Sequence, residues 1–259
     1  MIVASAPASC TLAATSVALP LQVQEVRRAG RFREKERLAM SPTTIYPLRN
    51  TRRVYCAGPL FNGPERQEIS QIAEHLRDSG FEPFVPHADG LEFARVQPYL
   101  ADEGYDPAAA GRLLHEAIFA LDVYQVVCGC GSLVLDMNGR VPDEGAVSEA
   151  AMAWTLGKPL VIFKADARSK VAGRDNPLVV GLSGFQTVAE IDAIGPALAA
   201  RLVELQPDPE WATPCPAHLG ETLAAGGGLW RRLLAMGAER PDALVAAAVM
   251  EEFGAPARL

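Results

Sequence analysis

Residues 132–163 read SLVLDMNGRVPDEGAVSEAAMAWTLGKPLVIF, and the way this stretch divides decides the fold. Ser132–Asp136 is a short apolar run, Pro159–Phe163 is a second, and Gly145–Leu156 between them has the length and alanine content of a helix. Parallel neighbouring strands need a crossover of this kind, so the stretch predicts a β-α-β unit. The helix opens on the acidic loop Asp143-Glu144 and carries one isolated acid, Glu149, among Ala146, Ala150, Met152 and Ala153. An acid in so apolar a segment is either at its exposed edge or deliberately buried. Its small neighbours leave room for a ligand to approach the carboxylate, as a nucleophile or general acid/base in a pocket requires.

The same alternation extends outward. Val54–Ala57 predicts a strand closed by Gly58-Pro59, and Pro64–Ser79 a helix with Ile69, Ile72, Ala73 and Leu76 on one face and Gly80 as its stop. Phe81–Pro86 reads as the next strand, 88–108 as a long loop, Ala109–Val127 as a helix, and Gly184–Val188 as a last strand before a helix over Glu190–Leu205. Together these give an α/β doubly wound parallel sheet of five strands with helices on both faces. Ligands in such sheets bind beyond the carboxyl ends of the strands, at a switch in strand order. The loops 58–63, 87–108, 137–144 and 164–178 lie there. Beyond Gln206, four prolines and Gly226-Gly227-Gly228 interrupt the pattern, and helices are expected at roughly 229–236 and 241–253 as a C-terminal appendage. The expected division is therefore an N-terminal extension at 1–45, the α/β domain at 46–205 and the appendage at 206–259.

The first segment is unlike the rest: small and apolar to Leu21, then crowded with charge from Arg27 to Arg37. Positive charge following the apolar part is the wrong order for a secretory signal. Met40-Ser41-Pro42 resembles a start shortly before the first strand, so residues 1–39 are expected to be a mis-assigned extension or a disordered tail.

The 259 residues are 49% hydrophobic with a formal charge of −7, enough for one large core and a poor match to nucleic acid, which calls for clustered Lys and Arg. No apolar run reaches the length of a membrane span. Five scattered cysteines suggest a reducing cytoplasm, and Cys128-Gly129-Cys130 has no second ligand pair, so buried small residues are expected there in place of a metal. The Ala57–Gly63 loop lacks the dinucleotide fingerprint and the P-loop lysine, and there is no serine-hydrolase elbow. Its Gly and Pro allow a compact ligand to approach backbone, with Phe61 free to stack. Taken singly, Asp143 or Glu144 is a helix cap, with Glu144 preferred in that role; Asp122 is a surface acid and Tyr55 a core residue. Of the four histidines, His87 alone sits where it can face the pocket.

In order, Val54-Tyr55-Cys56-Ala57-Gly58-Pro59-Leu60-Phe61, Asp122, Asp143…Glu149 and Gly157-Lys158-Pro159 resemble the nucleoside 2-deoxyribosyltransferase family, over roughly residues 53–190. Many of its members carry Asp where this chain has Gly131, and the typical chain ends sooner. The resemblance implies a flavodoxin-like, Rossmann-like sheet and cleavage of the N-glycosidic bond of a 2'-deoxynucleoside, the sugar passing to another base. It implies Glu149 as nucleophile, Asp143 and Asp122 as acids at the base, and Tyr55 as the residue orienting Glu149. Substrate contacts are implied at Gly58, Pro59, Phe61, Asn62, His87, Asn138 and Gly145. Asn176 and Leu178 would reach a neighbour's sugar site, which makes a homo-oligomer the expectation. The expected ligands are a nucleoside and a nucleobase, with no metal, no cofactor and no nucleic acid. Water in place of the second base would make the enzyme an N-glycosidase acting on nucleosides or nucleotides, and Ser148 and Arg140 are candidate phosphate donors. A non-catalytic nucleoside-binding domain is the third reading.

Overall fold

The computed structural model describes residues 44–45, 52–139, 141–166, 175–205 and 213–254. The expectations for residues 1–39, for Met40 as the start and for Arg140 lie outside them. Strand β1 (Thr44–Ile45) pairs antiparallel with β7 (Thr213–Pro214). The main sheet has five parallel strands: β2 (Arg53–Ala57), β3 (Glu82–Phe84), β4 (Ser132–Asp136), β5 (Leu160–Phe163) and β6 (Thr187–Val188), in the order β3-β2-β4-β5-β6. This is the doubly wound order, and the chain reverses direction across the sheet between β2 and β4. Beyond the carboxyl ends of these two strands a ligand crevice is expected.

Parallel strands buried on both faces explain why β4 and β5 are apolar runs without alternation. Tyr55, Leu133, Leu135 and Ile162 face one layer, which contains α4 (Pro107–Tyr124) and α5 (Glu144–Thr155). Val54, Cys56, Val134, Val161 and Phe163 face the other, formed by α1 (Gly63–Asp78) and α7 (Ile194–Glu204). The predicted strands and helices of the sheet are present with ends shifted by a few residues, most of all in the last strand, which is only Thr187–Val188.

Two expectations fail. The 88–108 segment is not a loop: it forms α2 (Pro86–Asp89) and α3 (Phe93–Asp102). Pro98 sits inside α3, which a propensity reading rejects, but Val96 and Leu100 are buried four residues apart and packing overrides the missing N–H. The glycine run does not separate two helices either. Helix α8 (Ala217–Ala235) runs straight through it, followed by α9 (Asp242–Phe253). A Cβ at Gly226 would overlap the Ala120 carbonyl and come within 2.8 Å of the Tyr124 Cβ, so glycine is what lets α8 lie against α4. Leu229, Trp230 and Leu233 of α8 join the core of the sheet's first face, and Arg53 and Arg240 lie over the Trp230 ring at 4.6 and 5.3 Å.

The two thiols flank a buried amine. Cys130 is buried, and burial pushes its thiol up to about 12. Lys158 donates to the carbonyls of Val127, at 2.9 Å, and Cys130, closing the π-helical turn Gln125–Gly129 that ends α4. Burial lowers that lysine to about 8. The lysine thus caps buried carbonyls at the end of α4.

Candidate active site

The geometry of the site starts on β2. Tyr55 is fully buried, its ring stacked on Phe84 at 5.5 Å, and its hydroxyl donates to Glu149 Oε1 at 2.7 Å. Ala146, Ala150 and Ala153, spaced as one helical face, press α5 against the sheet. Their small size brings the backbone close, and Glu149 at the edge of that face reaches Tyr55. Glu149 is half-buried, neither the solvated acid nor the fully buried one the sequence allowed. Burial raises its carboxyl well above the usual range, the Asp122 carboxylate raises it further, the Tyr55 hydroxyl opposes this, and Asp143 adds to it.

Asp122 does not lie on an outer face. It is half-buried near the end of α4, and its carboxyl contacts the same Tyr55 hydroxyl. Burial pushes it up to about 7. A phenol has one proton; when that proton goes to Glu149, only a protonated Asp122 can hydrogen-bond the phenol oxygen. The Tyr55 hydrogen bond opposes the rise that burial gives both carboxyls, so the phenol favours the charged form of whichever acid it serves, and its hydroxyl donates to Glu149. The hydroxyl itself stays protonated, since burial raises Tyr55 well above its ordinary value.

Asp143 caps α5: its Oδ2 accepts from the Ala146 amide at 2.7 Å. Capping therefore belongs to Asp143, while Glu144 is an exposed first-turn residue. A Cβ at Gly145 would approach Asp143 Oδ2 to 3.1 Å, so glycine keeps that carboxylate uncrowded. Asp143, Asp122, Tyr55 and Glu149 are thus brought together from three segments: β2, α4 and α5 with its cap.

The remaining sites divide. Gly58 cannot carry a side chain, because a Cβ would lie 2.5 Å from Ile69 and 2.9 Å from the Asp136 Cβ. Gly58 and Pro59 lead to Phe61, which is 81% exposed at the carboxyl end of β2. Asn62 is the N-cap of α1, accepting from Glu65 N at 3.0 Å, while Glu65 Oε2 accepts from Phe61 N at 2.9 Å. His87 is half-buried with Nδ1 unpartnered, and burial followed by Arg66 lowers its pKa. It lines a cleft of about 330 Å³ formed by residues of α2, α3, the 238–240 turn and the start of α9, and none of the four central residues lines it.

Asn138 is buried, with its side-chain oxygen and nitrogen both engaged by protein groups. Asn176 caps α6 (Pro177–Val180) through Leu178 N at 3.0 Å, and Leu178 is 83% exposed. Among the described residues, no hydrogen bond joins either of them to Glu149. Glu68 and Asp136 went unremarked in the sequence; the signal available was an acid closing an otherwise apolar strand.

Among the described residues, no three His, Cys, Asp or Glu side chains gather as a metal-binding group, and no helix is long and apolar enough to cross a membrane. A family model described as nucleoside 2-deoxyribosyltransferase matches residues 54–183. One similar solved structure is that of a conserved protein from Enterococcus faecalis V583, with 20% identity, a TM-score of 0.41, and coverage of 58% of this chain and 98% of that one. No curated protein matches the chain.

Proposed function

The chain belongs to the nucleoside 2-deoxyribosyltransferase family over residues 54–183, and on that premise we propose that it transfers a 2-deoxyribosyl group between nucleobases through a covalent sugar–Glu149 intermediate. The observation that carries this is the 2.7 Å bond from the buried Tyr55 hydroxyl to Glu149 Oε1, with Asp122 on the same phenol. Tyr55 occupies one carboxylate oxygen and leaves Oε2 to attack the anomeric carbon.

The departing base carries off the electrons of the N-glycosidic bond and needs a proton, which Asp143 at the head of α5 supplies or relays. The transition state resembles an oxocarbenium ion, which an adjacent carboxylate stabilises and then traps. A 2'-deoxy sugar lacks the electron-withdrawing hydroxyl that would oppose the cation. The second base attacks the glycosyl-Glu149 ester from the opposite face, returns the proton to the acid and frees Glu149. Two inversions give net retention.

Phe61 suits stacking on a base, being exposed beside the crevice with no ring of the described residues against it. Asn176 and Leu178 are exposed and, among the described residues, form no hydrogen bond with the four central ones; this favours their use in a neighbouring subunit's site within a homo-oligomer. The catalytic domain is proposed to be 46–205, with 1–45 an extension and 206–259 an appendage whose α8 and α9 pack into the same core, and the protein to work in the cytoplasm without a cofactor.

The test is incubation with a 2'-deoxynucleoside and a second free base. Base exchange supports the reading; free sugar indicates an N-glycosidase, and no turnover a binding domain. Glu149→Ala should lose at least about 10³-fold in turnover while keeping the wild-type circular dichroism, since both steps pass through its carboxylate. Near-normal turnover in that variant would remove Glu149 from the mechanism.

A further inference from the structure

Beyond β4 a second group of polar side chains sits on the opposite face of the sheet from Tyr55, outside the chemistry described above. Asp136 ends β4, 1% exposed, and its Oδ1 accepts from the Asn138 amide at 3.0 Å. Asn138 turns back and ties its side chain to two other segments. Its Nδ2 donates to Glu68 Oε1 of α1 at 2.9 Å, and its Oδ1 accepts from Ala165 N and Asp166 N, beyond β5, at 2.8 and 3.2 Å. Asp166 closes the ring by accepting from Gly139 N at 2.6 Å and pairing with Lys164 at 2.8 Å; Lys164 also donates to the Met137 carbonyl at 3.3 Å. Residues 137–139 are therefore tied to α1 and to the exit of β5 four residues before Asp143. The same Asp136 stem supports Gly58 at the head of the first ligand loop.

One atom in this ring lacks a partner. Asp136 Oδ2 is buried with no hydrogen-bond partner, and the Glu68 carboxyl is a neighbour of the Asp136 carboxyl. Two carboxylates cannot hydrogen-bond each other; a carboxylic acid and a carboxylate can. One proton between Asp136 and Glu68 satisfies the orphaned oxygen and cancels their repulsion, at no cost to the Asn138–Glu68 bond.

We propose that Asp136, Glu68 and Asn138 form a proton-closed latch that positions the Asp143-bearing segment, so that loss of the shared proton withdraws the acid from the departing base. They are positioning residues, acting through Asp143. The inference rests on the deoxyribosyl-transfer reading for its effect on turnover, and on the structure alone for the latch. Burial first, then Glu68 and Asp166, hold the Asp136 carboxyl up at about 7 against the opposing Asn138 amide. The charged groups facing it are Glu68 from α1 and Asp166 with its partner Lys164 from beyond β5. A raised acid is protonated below that value, so the latch is closed in mild acid and opens as pH rises through about 7.

Two variants test it. Asn138→Ala cuts the tie but leaves every proposed reacting group chemically unchanged. With a natural base as leaving group, kcat should fall roughly 10- to 100-fold, the scale of a misplaced catalytic group. With 4-nitrophenyl 2-deoxyriboside, whose leaving group departs without a proton, the loss should stay under about three-fold. Equal losses on both substrates would mean general damage and overturn the proposal.

Glu68→Gln keeps an oxygen for Asn138 and removes the partner charge. The Asp136 carboxyl, followed by 13C NMR in the free protein, should titrate near 7 in the wild type and at least about one unit lower in Glu68→Gln. An ordinary wild-type midpoint, or an unmoved one in the variant, overturns the latch. This arm needs no turnover, so a wild type that transfers no sugar refutes the functional reading and leaves the latch decided by the titration.

Discussion

Replacing Tyr55 by Phe removes one oxygen from the centre of the site and keeps the ring stacked on Phe84. The lost bond is 2.7 Å long, buried, and made to the charged form of Glu149. Hydrogen bonds to ionised groups contribute about 1.5–3 kcal/mol. At 1.36 kcal/mol per pKa unit, losing this one raises the Glu149 carboxyl by about 1–2 units. The sign is fixed because a donor to the carboxylate stabilises the ionised form, and its removal favours the acid. Glu149 must be ionised to attack, so the acidic limb of the kcat/KM profile for base exchange should move up by about 1–2 pH units. At a pH on that limb the variant should be about 10- to 100-fold slower, recovering on the alkaline side. The assay is base exchange followed by chromatography across pH 5–9, with thermal unfolding as a control for folding. A slower enzyme with an unmoved acidic limb would refute the reasoning, since Tyr55 would then act on something other than the charge of Glu149.

Other expectations follow from neighbouring geometry. Asp122, ordinarily 3.8 and raised to about 7 in the fold, holds a proton that the unfolded chain gives up between those values, so wild-type stability falls as pH rises through that window. Asp122→Asn should gain on the wild type from pH 4 to pH 7, by at most ~4 kcal/mol, in chemical denaturation at the two pH values; a pH-independent difference sinks the assignment. Gly226→Ala should lower stability by about 1–3 kcal/mol even though alanine is the better helix former, because the new Cβ meets the Ala120 carbonyl. A neutral or stabilised variant in urea unfolding would show that α8 and α4 have room to separate.

The sheet was legible because its code is local. Ser132–Asp136 and Leu160–Phe163 are apolar runs of strand length, and the alanine face of α5 needs no partner to be recognised. Glu149 was visible as an acid in the wrong surroundings, and the family motif supplied Tyr55, Asp122 and Asp143 as its companions. The 88–108 segment and the glycine run misled for one shared reason. Pro98 and Gly226–Gly228 carry local helix-breaking signals, and only contacts with α4, α8 and α9 offset them.

What the sequence determined by itself was therefore the class of fold, the strand-helix order and the identity of the central carboxylate. The tertiary structure decided the electrostatics. Tyr55 and Glu149 are ninety-four positions apart, and neither residue type announces the other. Asp122 is an ordinary helix acid until α4 is laid beside β2, and its raised pKa comes from burial that no local pattern encodes. Asn138, readable as a loop residue facing substrate, turns inward to join α1 with the exits of β4 and β5. The physical reason is range: propensity and periodicity act over a few residues, whereas desolvation and charge act through space between segments the fold alone makes neighbours.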